Sequence, residues 1–148
     1  MSIEENKVLA RRFHQVWNTG NVSAIDDLAA AGYVLHCQTI AAAPGGRDAL
    51  KTLIADTRAA FPDYQQTLEV MIAEGDRVAI CATAQGTHRG AFAGHAPTGR
   101  SVRLQMLAMH QIEDRRIVES WCTWDTLAIL RDLGLAATPD PIRQASAS

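Results

Sequence analysis

Asp125, His110, His36 and Cys122 are the side chains best placed in this sequence to do chemistry. Asp125 is the acid at the end of the last apolar strand. A carboxylate there suits general acid/base work, because a dry site raises its pKa toward neutrality. It also directly precedes an apolar helical segment, where an aspartate commonly serves as the N-cap. His110 lies in an apolar strand, where a lone histidine is more often a hydrogen-bonded core or rim residue than a proton-transfer group. His36 sits on a short strand after the second helix and reads as a polar group of a pocket or as a structural residue. Cys122 acts as a nucleophile only if a base or a positive field lowers its pKa, and no such partner is evident nearby. Arg103 and Asp125 are the obvious pair for a relay that positions a water, as epoxide hydrolysis would require.

Other motifs point away from cofactor chemistry. His14, His36, His88, His95 and His110 show neither HxxxH nor HxH spacing, so metal ligation has little support. Gly90, Gly94 and Gly99 do not follow the strand of a βα unit and make no phosphate loop. Thr87, His88 and Arg89 beside that Gly-rich stretch read as a solvated rim.

The elements that must position these groups follow from periodicity. Leu9, Phe13, Val16 and Trp17 form one apolar stripe on a helix over 4–18, closed by Asn18-Thr19-Gly20-Asn21. Ser23 is the expected N-cap of a short second helix through Ile25 and Leu28. A short strand runs over 33–38, and Pro44-Gly45-Gly46 breaks the chain before a third helix over 47–60. Strands are expected over 67–73, 77–88, 101–111 and 117–123, with a last helix from about 125 to a stop at Gly134. Helices first and an antiparallel meander later make an α+β domain. The domain is placed at 1–136, and 137–148 reads as a small, polar, proline-containing tail.

Composition sets the outer bounds. The chain has 148 residues, enough for one domain with its own core. Lys+Arg number 14 against 16 Asp+Glu, a net charge of −2 with no basic stripe, so nucleic acid is not an expected partner. Apolar runs fall short of the roughly 20 residues that span a membrane, and the N-terminus has no signal-like apolar segment. Three cysteines without a CxxC fit a reducing cytoplasm.

An ordered set of short segments adds a resemblance. Trp17-Asn18-Thr19-Gly20-Asn21, Tyr33-Val34-Leu35-His36 and Ala60-Phe61-Pro62-Asp63 come first. Ala73-Glu74-Gly75-Asp76-Arg77-Val78, Gly86-Thr87-His88-Arg89-Gly90 and Ala96-Pro97-Thr98-Gly99-Arg100 follow, and Ile117-Val118-Glu119-Ser120-Trp121 leads to Asp125 and Leu133-Gly134. In this set the chain resembles the SnoaL-like polyketide cyclases, within the nuclear-transport-factor-like and ketosteroid-isomerase-like cone folds. The resemblance implies a single cone-shaped domain, with a curved, mostly antiparallel sheet wrapped on three helices from the N-terminal half plus a short C-terminal helix. It implies an apolar pocket for a small hydrophobic carbonyl compound, and ring closure by aldol condensation without metal or organic cofactor. It also implies a homodimer packed sheet to sheet. Carried over residue by residue, the family's substrate-holding Asn, Gln and His fall on Leu35, Met106 and Ala108, and its proton-moving Asp falls on Cys122.

Two hairpin registers then decide which side chains face the pocket. A two-residue loop, Asp114-Arg115, puts Met106, Ala108 and His110 on a face with Trp121, Thr123 and Asp125. A three-residue loop, Asp114-Arg115-Arg116, puts them with Val118, Ser120, Cys122 and Trp124. Analogy with the family it resembles and the binary pattern together favour the three-residue loop. It leaves Gln105, Leu107, Met109, Trp121 and Thr123 outside as the expected dimer face. The expected binding residues are therefore Trp17, Leu35, Phe61, Met106, Ala108, Val118, Cys122 and Trp124, with Asp125, His110 and His36 as the candidates for proton transfer. A pocket so apolar also suits a protein that binds a hydrophobic ligand without transforming it.

Overall fold

Ser2 opens the first helix, α1 (Ile3–Thr19). Its hydroxyl accepts from the Glu5 amide while the Glu5 carboxylate accepts from the Ser2 amide, a complete capping box. Gly20 closes α1 in the left-handed region (φ 74°), its amide bonded to the Val16 carbonyl. This computed structural model describes residues 1–37 and 44–136. Gln38 of the expected first strand and the 137–148 tail lie outside the described residues.

A 3₁₀ turn, Val22–Ala24, leads into α2 (Ile25–Leu28) and β1 (Ala29–His36). Ser23 does not cap α2, because the 3₁₀ turn intervenes and the Ser23 hydroxyl donates to Asn21 Oδ1 instead. Next come α3 (Arg47–Ala60), β2 (Gln65–Glu74) and β3 (Arg77–Thr87). They are followed by β4 (Ser101–Glu113), β5 (Arg116–Trp124) and α4 (Thr126–Asp132). The five strands form one curved, unclosed sheet in the order β1-β5-β4-β3-β2. β2 to β5 are an antiparallel meander, and β1 joins β5 in parallel. The fold is α+β, with α1 packed on β2 and β3, α3 on β1 and α4 on β4.

Alternation along β4 shows which face is covered. Val102, Leu104, Met106, Ala108, His110 and Ile112 are buried, while Ser101, Arg103, Gln105 and Leu107 are exposed. The buried face meets the α1 stripe of Leu9, Phe13, Val16 and Trp17 in one core.

The β4–β5 hairpin corrects the expected loop. Its turn has two residues, Asp114 and Arg115, both at positive φ (48° and 62°), and Glu113 pairs with Arg116. Such a primed turn matches the twist of the strands but holds a non-glycine residue in the left-handed region. The face expected from the longer loop is nevertheless the one observed. The register shifts between Gln111 and Ile112, whose partners are Glu119 and Ile117. Val118 is thus the extra residue of a β-bulge, and the slip sets His110, Ala108 and Met106 opposite Ser120, Cys122 and Trp124.

Candidate functional site

Between the sheet and the helices opens a cavity of about 490 Å³. α3 supplies Leu53, Asp56, Thr57 and Ala59 to its wall, and the following turn supplies Phe61 and Tyr64. Ala84, Gln85, Val102 and Leu104 form the sheet side; Trp124, Thr126 and Ile129 close the end. The loop after β3 adds Ala91, Phe92 and Ala93. That loop is pinned to the end of α3, because the amides of Arg89 and Gly90 both donate to the Ala60 carbonyl (2.9 and 3.1 Å). Phe61 and Phe92 meet edge to face at 5.5 Å, which gives the wall a stiff aromatic corner. Among the described residues, Asp56 is the carboxylate on this wall, and it is exposed at the rim.

The candidate residues are distributed in three places. Phe61 and Trp124 line the cavity, and Trp17 backs it, edge-on to Trp124 at 5.8 Å. Leu35, Met106 and Ala108 are buried in the sheet interior. Cys122 is partly buried beside them, and Val118 sits at the bulge. Contact with the Cys37 thiol raises the Cys122 pKa and burial raises it further, which opposes a thiolate nucleophile.

Asp125 caps α4, its Oδ1 accepting from the Ala128 amide at 2.9 Å. It is exposed and makes no hydrogen bond or ion pair with Arg103, so the water-positioning relay that would link those two residues is not assembled. His36 pairs with Glu119 (2.6 Å) and stacks on Trp121 at 5.4 Å, on the outer side of the sheet. There it borders a groove of about 670 Å³ that also includes Val70, Ile72, Leu107, Met109 and Trp121.

His110 has the richest surroundings. It is 2% exposed, and it is joined to residues that the sequence alone did not single out. Its Nδ1 lies 2.7 Å from Ser120 Oγ and its Nε2 2.8 Å from His14 Nε2. His14 Nδ1 lies 2.9 Å from Gln66 Oε1, and Gln66 Nε2 donates to the Tyr64 hydroxyl at 2.7 Å. Asn18 holds Gln66 in place, accepting from its amide (2.7 Å) and donating to its carbonyl (3.0 Å). Burial lowers the pKa of both histidines; the Gln66 hydrogen bond opposes this at His14, and the neighbouring His14 charge adds to it at His110. Burial raises the pKa of Tyr64 against the opposing Gln66 hydrogen bond, so the phenol keeps its proton. Tyr33 closes the far end beside Ser120. Burial raises its pKa too, but its hydroxyl makes no well-formed hydrogen bond.

The available signal for this chain was the inward parity of His110. A buried imidazole must find partners, and Ser120 directly across the ladder was one of them. His14 and Gln66 lie far off in sequence, and nothing local marks them.

A curved, unclosed mixed sheet with helices over one face and a cavity between them is the architecture of SnoaL-like proteins. Residues 7–133 match the SnoaL-like polyketide cyclase family, and the chain belongs to it. It is similar to IdmH of Streptomyces antibioticus, described as a candidate polyketide cyclase, at 32% identity and a TM-score of 0.79. That match covers 87% of this chain and 98% of the other. AclR of Streptomyces galilaeus, described as a candidate hydroxylase, is 28% identical with a TM-score of 0.82, covering 94% of this chain and 87% of that one. A candidate cyclase from Acidithiobacillus ferrooxidans is 27% identical with a TM-score of 0.77, covering 93% and 100%. No curated protein sequence matches this chain. No helix among the described residues is long and apolar enough to cross a membrane.

Proposed function

We propose that this protein is a cofactor-free enzyme of the polyketide-cyclase type that closes a ring in a small hydrophobic carbonyl compound. The observation that carries this reading is the cavity between the sheet and the helices, whose wall is mainly aromatic and aliphatic with few polar groups. Such a wall folds a flexible chain on itself and brings its reacting carbons together. The confinement alone supplies much of the rate of an intramolecular condensation. Proton transfer falls to the groups with access to the wall. His110 is linked to the wall by hydrogen bonds through His14 and Gln66. An amide passes no proton from its oxygen to its nitrogen, so the member of that chain that meets the ligand is the Tyr64 hydroxyl. Asp125 and His36 are held by a helix cap and by Glu119. The test is turnover of aryl-substituted linear diketones. The expected result is ring closure above the buffer rate; tight binding without conversion, or no binding, overturns the assignment.

A second reading is storage or transport of an apolar ligand without chemistry. It is favoured by the absence of a buried carboxylate from the described cavity wall. Native mass spectrometry after mild purification separates the two, since a carrier retains its ligand.

Both readings are proposed for a homodimer in the cytoplasm. The outer sheet face leaves Val70, Ile72 and Leu107 more than half exposed (51%, 64% and 54%), an apolar patch that a second copy would cover. Leu107→Glu is expected to convert dimer to monomer in sedimentation at micromolar concentration while leaving the far-UV spectrum unchanged. A wild-type protein already monomeric there removes the dimer.

A further inference from the structure

The chain Ser120–His110–His14–Gln66–Tyr64 crosses a hydrophobic interior, where polar groups are tolerated only when all are paired. It ends on the one member that lines the cavity. Its proton arrangement is set by elimination. Gln66 Oε1 only accepts, so His14 carries its proton on Nδ1 and presents a lone pair at Nε2. His110 must then donate from Nε2, which leaves its Nδ1 to accept from the Ser120 hydroxyl. At the other end, the Gln66 amide donates to the Tyr64 oxygen and faces the Met106 sulfur at 3.8 Å. Reversing the amide would turn its oxygen onto the thioether and lose that contact. Every donor in the chain now has an acceptor except the Tyr64 O–H, which has none among the described residues.

We propose that Tyr64 is the cavity's hydrogen-bond donor to the carbonyl oxygen of the bound compound, and that Gln66, His14, His110 and Ser120 are positioning residues that hold it in the donating state. The proposal rests on the reading of the cavity as a binding site for carbonyl compounds. A hydroxyl whose lone pair is already occupied by a fixed donor does not turn to accept. It discriminates a ketone from a hydrocarbon of the same shape, and it polarises the carbonyl for enolisation or attack. Burial, which keeps the phenol protonated and both imidazoles neutral, sustains the arrangement.

Two measurements on the full chain test it. The first is the tautomeric state of the histidines by nitrogen NMR, which needs no variant. His14 is expected as the Nδ1–H form and His110 as the Nε2–H form; the opposite pair overturns the proposal. The second compares two probes, the solvatochromic propionyl-dimethylaminonaphthalene ketone and its carbonyl-free propyl analogue. Tyr64→Phe is expected to weaken the ketone by about tenfold, the size of one net hydrogen bond, and to leave the analogue unchanged. Gln66→Glu, which accepts the Tyr64 proton itself, is expected to abolish the ketone preference with Tyr64 intact. If wild type binds both probes and Tyr64→Phe changes neither selectively, the donor role is wrong. If wild type binds neither probe, the cavity reading fails and the donor role with it.

Discussion

As the pH falls from about 6.5 to 5, denaturation midpoints are expected to drop steeply, well before surface carboxylates titrate. The cause is the His14–His110 pair. Both rings are almost wholly buried (4% and 2% exposed), and no carboxylate among the described residues contacts either. Burial therefore holds both below the ordinary histidine value. The unfolded chain binds protons on these rings from about pH 6.5 downward, whereas the folded chain does not. With more protons bound in the unfolded state, stability rises with pH. The contribution is complete above about pH 6.5 and is lost as the pH falls from there toward the depressed folded values. Each imidazole kept neutral costs about 1.4 kcal/mol per pH unit over that window. A second proton on the pair would set two N–H donors against each other at 2.8 Å, so the two rings cannot both be charged in the native fold. Asp26 and Asp63 also have lowered pKa values, from the Lys51 hydrogen bond and from the Thr87 hydrogen bonds respectively. Their contributions are lost only in the more acidic carboxylate range. Urea melts at half-unit pH intervals, with the two imidazole resonances followed by NMR, separate the windows. A midpoint that stays flat from pH 7.5 to 5.5, or a folded His110 that titrates near 6.5, removes the argument.

The parts of this fold that were legible in the sequence are those fixed by local chemistry. α3 runs over Arg47–Ala60, as expected from the breakers on either side, with Gly46 at its N-cap and Phe61, before Pro62, at its C-cap. The hairpin shows where local reasoning fails. A two-residue turn followed by a one-residue bulge gives the same facing as a three-residue loop without one, so the binary pattern identifies the buried face but not the turn. The bulge at Val118 leaves no compositional trace. The site was less legible for a related reason. Phe61 and Trp124 are large, apolar and at element ends, and such residues are natural walls. Tyr64 stands one residue before β2 and gains meaning only from Gln66, which is oriented by a histidine 52 positions away, itself paired with one 96 positions further on. Those contacts are products of the topology that lays α1 across β2, β3 and β4, and no short window of the chain contains them. Asp125 illustrates the converse: its cap role follows from its immediate neighbours, and the structure uses it so.

Gly90→Ala is expected to be a damaging single-methyl change at the base of the loop that carries Ala91, Phe92 and Ala93 into the cavity wall. A Cβ at position 90 would stand 2.1 Å from the Ala59 carbonyl oxygen and 3.0 Å from its carbon. Both atoms are backbone at the C-terminal end of α3, and neither can rotate away. The loop must therefore lift off α3, breaking the hydrogen bonds that Arg89 and Gly90 make to the Ala60 carbonyl. Ala91, Phe92 and Ala93 are carried by the same loop, so the aromatic corner formed by Phe92 on Phe61 opens with it. Overpacking of this kind costs about 1–3 kcal/mol, which for a chain of this size lowers the melting temperature by roughly 2–12 °C. Affinity for the naphthyl ketone should fall in parallel, since the wall no longer closes on the ligand. Gly32→Ala is the matching control: a Cβ there meets nothing within 4 Å, and the backbone is not in the left-handed region. It should leave stability within about 0.5 kcal/mol of wild type. If Gly90→Ala melts and binds like Gly32→Ala, the loop is not clamped to α3, and the cavity is not the fixed enclosure that both proposed roles require.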